Sequence, residues 1–237
     1  EEFFEAIDFL RSLNVVNGEY FINNEISKGK KVLAEGAQGT MLDIDFGTFP
    51  FVTSSSTISA GVCTGLGVAP QQIKRVMGVT KAYCTRVGSG PFPTELHNET
   101  GEELRKLGNE FGATTGRPRR CGWIDLVALK YTCMVNGVTD VIMTKADVLD
   151  SFQNLEVCTA YNIDGKTSKE VPFQMSKMNI QPVLESFKGW KIDTTGIKQS
   201  EDLPTAMKEY IQFINNYIGA DVKYVSNGPG REQIVAL

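Results

Sequence analysis

Asp140-Val141-Ile142-Met143-Thr144-Lys145-Ala146-Asp147 decides the fold. The apolar run reads as a short buried strand, and T-K-x-D then places one carboxylate and one lysine stem at the strand's carboxyl end. Open α/β sheets bind their ligands there. A carboxylate in that loop can accept hydrogen bonds from the N1–H and 2-amino group of guanine, while the lysine methylenes cover the purine face and the ammonium stays wet. Adenine has a lone pair at N1 and no 2-amino group, so it would leave the carboxylate unpaired. A strand-end charge pair without a ligand is the other reading of the same four residues.

A second strand end strengthens the guanine reading. Val222-Lys223-Tyr224-Val225 alternates and runs into Ser226-Asn227-Gly228-Pro229-Gly230. Small residues let backbone approach a flat base closely, and the amides of Ser226 and Gly228 could meet guanine O6. A glycine-proline turn after an edge strand is the plainer alternative. Two strand ends, T-K-x-D and S-x-G, together favour a split guanine pocket.

Outward from these segments, helix and strand patterns alternate. Phe3, Phe4, Ile7, Leu10 and Leu13 share one face of an N-terminal helix. Lys31 to Glu35 predicts a strand, followed by the small-residue loop Gly36 to Thr40. Asp45 to Pro70, rich in Gly, Ser, Thr and Pro, predicts a long loop, and such loops are more often functional than idle. Gln71 to Thr80 predicts a helix feeding a strand, and Tyr83 to Val87 another strand. Thr100 to Leu104 opens a short helix, and Asp125 to Asn136 forms a helix with an apolar face of Leu126, Val127, Leu129 and Met134. Asn154 to Val171 predicts a small antiparallel excursion turning at Asp164-Gly165. Leu203 to Ile218 predicts an amphipathic helix with Pro204 in its first turn and a core stripe of Met207, Tyr210, Ile211 and Ile214. The whole is an α/β chain with a mostly parallel central sheet flanked by helices.

Composition narrows the function classes. The 237 residues are 41% hydrophobic and 22% charged, with net charge −4, as in an ordinary globular protein. Such a chain has no global attraction for nucleic acid or an anionic membrane, and no apolar stretch is long enough to span a bilayer. The five cysteines are widely spaced, which predicts reduced thiols in a cytoplasmic protein and no structural zinc site. The lone His97 lies in a polar turn, which argues against Ser-His-Asp and Cys-His mechanisms. Against this acidic background, Gly112-Ala113-Thr114-Thr115-Gly116-Arg117-Pro118-Arg119-Arg120 stands out. Its three arginine forks and two threonine hydroxyls suit a small anionic substrate, although a solvated basic loop has the same composition. No G-x-x-x-x-G-K-[ST] signature occurs, so a guanine pocket here would lack its phosphate cradle.

Together these residues closely resemble the adenylosuccinate synthetase family, GTP-dependent ligases of purine biosynthesis. The resemblance rests on Glu35-Gly36-Ala37-Gln38-Gly39-Thr40, Asp43-Ile44-Asp45 and Pro50-Phe51-Val52-Thr53-Ser54-Ser55. It rests also on Gly90 to Leu96, Gly108 to Arg117, Thr144 to Asp150 and, more loosely, Ser226-Asn227-Gly228-Pro229. The resemblance implies a P-loop-NTPase-like fold, of which residues 1–237 are the C-terminal portion of a single α/β domain. It implies phosphoryl transfer from GTP to the O6 of IMP, displacement by the amine of L-aspartate, magnesium assistance, a homodimer and a cytoplasmic setting.

By the same resemblance, Gln38 looks like the amide that orients the IMP base. Thr53 looks like the hydroxyl on the IMP phosphate, and Val87 and Arg117 like ribose contacts. Ala113, Thr114, Thr115, Gly116, Arg117, Pro118 and Arg119 correspond to the aspartate loop. Arg119, Lys145, Ala146, Asp147, Ser226, Asn227 and Gly228 correspond to GTP contacts. Pro118 stands where many members carry arginine, and Phe46 where some carry histidine. The resemblance further implies that the family's phosphate loop, general base, general acid and magnesium ligands lie upstream of this chain. The expectation is therefore that this chain alone is inactive and supplies no metal ligands. A guanine-binding regulatory module is the alternative, and it leaves Gln38, Thr53 and the arginines without a role.

Overall fold

The computed structural model describes residues 1–114 and 116–237. In chain order its helices and strands begin with α1 (Glu2–Ser12), α2 (Gly18–Ser27), α3 (Ala60–Leu66), β1 (Met77–Lys81), β2 (Cys84–Arg86) and α4 (Glu99–Leu107). They continue with β3 (Arg120–Gly122), β4 (Ile124–Asp125), α5 (Leu126–Asn136), β5 (Asp140–Thr144), β6 (Asn154–Ile163) and β7 (Lys166–Ser168). The last are β8 (Ile180–Lys188), α6 (Thr205–Ile218), β9 (Val222–Ser226) and β10 (Ile234–Ala236).

The parallel-rich sheet has the order β1-β5-β9-β10. β1, β5 and β9 run parallel, with Thr80 opposite Met143 and Met143 opposite Val225; β10 returns antiparallel. Val141, Met143, Val222 and Val225 are buried, as strands covered by helices should be. The sheet carries α6 through the stripe Met207, Tyr210, Ile211 and Ile214, all buried, and the Tyr210 hydroxyl donates to the Ala82 carbonyl just after β1 at 2.9 Å. α5 starts where the Asp125 carboxylate accepts the Ala128 amide at 3.0 Å. It stops at Gly137, whose φ of 61° is a left-handed conformation that glycine adopts without a Cβ penalty.

The parallel-rich α/β expectation holds, and several local expectations do not. Lys31 to Glu35 forms no strand among the described residues, and Leu33 is exposed. Only a single 3-10 turn, Pro70–Gln72, forms where a helix was expected before β1. The presumed long loop from Asp45 to Pro70 contains α3. β9 is an interior strand rather than an edge. Pro204 caps α6 from outside its first turn, and Met134 faces solvent. The antiparallel excursion is larger than its sequence suggested. β6 pairs with β7 across the Asp164-Gly165 turn and also with β8 from Asn154↔Lys188 to Ile163↔Ile180. The periodicity of β6 shows one strand, not how many partners it has.

The apolar side chains Phe3, Phe4, Phe9 and Leu10 of α1, and Leu13 just after it, are exposed. The core gathers instead on the sheet, α5 and α6. α2 touches the rest through Asn23, whose amide donates to the Gly67 carbonyl at 2.9 Å.

Candidate functional site

The residues that the sequence suggests for a guanine pocket sit at the ends of neighbouring parallel strands. Lys145, Ala146 and Asp147 follow β5 directly, and Asn227 and Gly228 follow β9, which ends at Ser226. Lys145 takes a left-handed backbone, φ 59°, and opens the 3-10 turn Ala146–Leu149 that carries Asp147. Burial pushes the Asp147 carboxyl up from its ordinary range, so this oxygen pair has lost water that ligand donors would replace.

Three readings at this end are refined by the structure. The Lys145 ammonium is engaged by the protein rather than left to solvent alone, although its side chain keeps 37% exposure. It donates to the Gly108 carbonyl and lies 3.5 Å from the Glu110 carboxylate, which has no exposure. Asn227 does not present its amide to a ligand. It is fully buried, and its Nδ2 donates to the carbonyls of Thr194 and, at 3.0 Å, Ile197. Thr194 is held in turn by Asp150, which accepts the Thr194 amide at 2.7 Å and the Trp190 indole at 2.6 Å. Asn227 is therefore a peg that fixes the loop after β9. The Cβ side of Gly228 is also occupied. A Cβ there would meet the Gln233 side-chain amide at 2.3–2.5 Å. That amide is pinned, accepting the Gly230 N–H at 2.8 Å and donating to the Thr195 carbonyl at 3.2 Å. Ser226 Oγ donates to the Gly228 carbonyl at 2.9 Å.

The second group of candidates lies off the sheet. Gln38, at φ 67°, donates from Nε2 to Thr53 Oγ1 at 3.2 Å, which brings these two candidates together. Their support is Asp43, to which sequence reasoning gave no role. Its buried carboxylate accepts the amides of Asp45 at 2.9 Å, Phe46 at 3.0 Å, Thr57 at 2.6 Å and Ile58 at 3.1 Å. Burial alone would raise this carboxyl, but the four amides outweigh it and hold it below its ordinary value. The Thr53 amide also donates to the Leu42 carbonyl at 2.8 Å. Asn136 at the end of α5 moors this segment, accepting the Ser59 amide at 2.7 Å and donating to Thr40 Oγ1 at 2.9 Å.

The arginine loop is a hairpin-like excursion. The Gly112 amide donates to the Arg117 carbonyl at 2.9 Å, and the Arg119 amide to the Glu110 carbonyl at 2.9 Å. Thr115 lies outside the described residues. Ala113, Thr114, Gly116, Arg117 and Pro118 are exposed. The three forks are not equivalent. Arg120 is committed to structure, bound to both oxygens of Glu95, with Nε at 2.8 Å, and to the carbonyls of Gly88 and Gly90. Arg119 Nη1 binds Glu110 Oε2 at 2.7 Å. Val87, just beyond β2, has an exposed side chain. Glu110, Lys81 and Tyr83 were missed by sequence reasoning, although Glu110 lies inside the Gly108 to Arg117 stretch. A buried glutamate leaves no periodic signal.

Among the described residues, no three His, Cys, Asp or Glu side chains converge where they could hold a metal ion. No helix among them is long and apolar enough to cross a membrane.

Comparison with known proteins follows the same line as the geometry. Residues 1–235 match the family described as adenylosuccinate synthetase. The adenylosuccinate synthetase of Cytophaga hutchinsonii is 55% identical over 232 residues, covering 98% of this chain and 54% of that protein. That of Flavobacterium johnsoniae is 54% identical over 235 residues, covering 99% of this chain and 56% of that protein. The chain thus spans about half the length of the curated relatives it matches. The fully ligated adenylosuccinate synthetase of Plasmodium falciparum superposes with a TM-score of 0.90 at 40% identity, over 94% of this chain and 54% of that one. A cyanophage succinoaminodeoxyadenylate synthetase shares the fold at TM-score 0.60 and 19% identity, over 94% of this chain and 51% of that one.

Proposed function

The chain belongs to the adenylosuccinate synthetase family, and from that premise we propose that it supplies the recognition half of a GTP-dependent ligase. The reaction joins IMP and L-aspartate to give adenylosuccinate, GDP and phosphate. The observation that carries the reading is the placement of Lys145–Asp147 and Ser226–Gly228 at the carboxyl ends of adjacent parallel strands.

Each residue has a physical task. Asp147, its carboxylate desolvated, accepts the N1–H and 2-amino protons of guanine. The stem of Lys145 lies against the purine, and the amides of Ser226 and Gly228 face O6. Asn227 holds that loop from behind. Gln38, set against Thr53, orients the IMP base near O6, and Thr53 meets the IMP phosphate. Val87 offers its backbone carbonyl to the ribose, which Arg117 also contacts. The loop of Ala113, Thr114, Thr115, Gly116, Arg117, Pro118 and Arg119 receives the aspartate carboxylates, with Arg117 and Arg119 as forks. Magnesium, when bound, offsets charge on the transferred phosphoryl group. The side chains described here bind and orient; the residues that move protons at IMP belong to an upstream part. Residues 1–237 are then the C-terminal portion of a single domain in a cytoplasmic homodimer.

Equilibrium binding tests this. The chain should bind GDP at least about a hundredfold more tightly than ADP, and bind IMP, without forming adenylosuccinate alone. Binding of GDP with indifference to IMP and aspartate would replace the ligase reading by a regulatory guanine module. Turnover by these 237 residues would overturn the division of labour.

A further inference from the structure

Glu110 is fully buried and has no task in the recognition scheme above. It nevertheless sits where the amino-acid and guanine subsites meet. Its Oε2 accepts Arg119 Nη1 at 2.7 Å. Its Oε1 accepts the Tyr83 hydroxyl at 2.6 Å and Lys81 Nζ at 2.8 Å, with Lys145 Nζ 3.5 Å away. Three cations from three segments therefore face one carboxylate: Lys81 from the end of β1, Arg119 from the arginine loop and Lys145 from the turn after β5. Burial would raise this carboxyl, but Lys81, Tyr83 and Arg119 bring it down to about 2, so it stays ionised. Arg119 Nε is buried with no hydrogen-bond partner, which leaves the Glu110 contact to set the orientation of that guanidinium.

We propose that Glu110 is a positioning residue shared by the two subsites, orienting Arg119 for the amino-acid carboxylate and Lys145 for the guanine ring, and coupling their occupancy. The proposal rests on the ligase reading. When a dicarboxylic amino acid shares the Arg119 guanidinium with Glu110, part of the cation's charge is drawn from Glu110 Oε2 while the contact that orients Arg119 is kept. The carboxylate then attracts its remaining neighbours more strongly, and Lys145, at 3.5 Å, has room to close. A lysine held there presents an ordered stem to the purine, so the nucleotide loses less entropy on binding. By linkage the nucleotide strengthens amino-acid binding by the same factor.

The test measures the affinity of the full-length protein containing this chain for GDP, with IMP present, with and without saturating L-aspartate. The unsubstituted protein should bind GDP about fivefold or more tightly when aspartate is present. Glu110→Gln keeps the shape but not the charge, and should bind each ligand alone while the ratio falls to about one. Tyr83→Phe removes a hydrogen bond but no charge, and should keep the ratio. A ratio of one in the unsubstituted protein overturns the proposal. So does a Glu110→Gln variant that weakens both ligands yet keeps the ratio, because that describes a merely structural residue. If Glu110→Gln does not fold, Glu110→Asp takes its place. Its shorter arm cannot reach Arg119 and Lys145 together, so the ratio should drop at least about twofold, and an unchanged ratio overturns the proposal. Failure of the unsubstituted protein to bind aspartate or GDP at all would instead refute the ligase reading.

Discussion

The turn after β5 and the segment from Gln38 to Thr57 hold their candidate ligand-facing side chains by opposite means. The turn inherits its position from the sheet: β5 is locked between β1 and β9, and Asp147 follows within three residues of the strand's end. The Gln38 segment has no ladder. It is shaped by one buried carboxylate, Asp43, that collects four backbone amides, and by Asn136 reaching across from α5. In the first region the scaffold and the recognition groups are different atoms. In the second they are coupled, so damage to the scaffold should also remove recognition.

Substitutions can break or sharpen that contrast. The largest effect should come from Asp43→Ala, which leaves four amides without their acceptor. We expect a stability loss of about 3 kcal/mol or more, read by denaturant unfolding, together with loss of IMP binding. Asp147→Asn should separate the two properties. Guanine affinity should fall about a hundredfold, or about 2.7 kcal/mol, with the melting temperature nearly unchanged; comparable unfolding in both variants would erase the distinction. Gly228→Ala should fall between, since the new Cβ displaces a Gln233 amide that is itself pinned. A loss of about 1–2 kcal/mol in stability is expected, with a weaker guanine site. Val87→Ala should be the smallest: its exposed side chain makes no claimed contact, and IMP affinity should hold within about twofold.

Acid should sharpen the same picture. The Glu110 carboxyl falls from 4.5 to about 2 on folding, and Asp43 also moves below its ordinary 3.8. A lowered acid stabilises the fold above its unfolded value, and that contribution disappears as pH falls through the folded one. The melting temperature should therefore drop between pH 4.5 and about 2. Glu110→Gln should flatten this limb. An unchanged limb would mean that Glu110 is not held ionised.

Much of the first region was legible in the residues. Asp140 to Thr144 forms the strand its apolar run implies, and Val222 to Ser226 is its neighbour, because local patterning and tertiary pairing agree there. The second region was legible only through resemblance. Gln38 and Thr53 meet directly, in a segment shaped by Asp43, and a hydrogen-bonded carboxylate leaves no periodicity to read. The arginine loop misled by composition. Arg120 and Arg119 look like equal anion-binding forks, but one is committed to Glu95 and the other is engaged by Glu110, partners that become visible only once the chain is folded. Asn227 misled likewise, since burial decides whether an amide serves a ligand or a carbonyl.

The adjacency of β5 and β9 has a consequence for how base choice can change. Neighbouring strands stand about 4.8 Å apart, a distance set by backbone hydrogen bonds and indifferent to side chains. On the proposed reading, the two sides of the guanine edge are gripped from those two strands. The sheet then acts as a fixed caliper. Thermal motion of the sheet carries both jaws together and leaves the gap between them unchanged. A different purine is admitted by altering what the jaws present, as at Asp147, and not by loosening their separation.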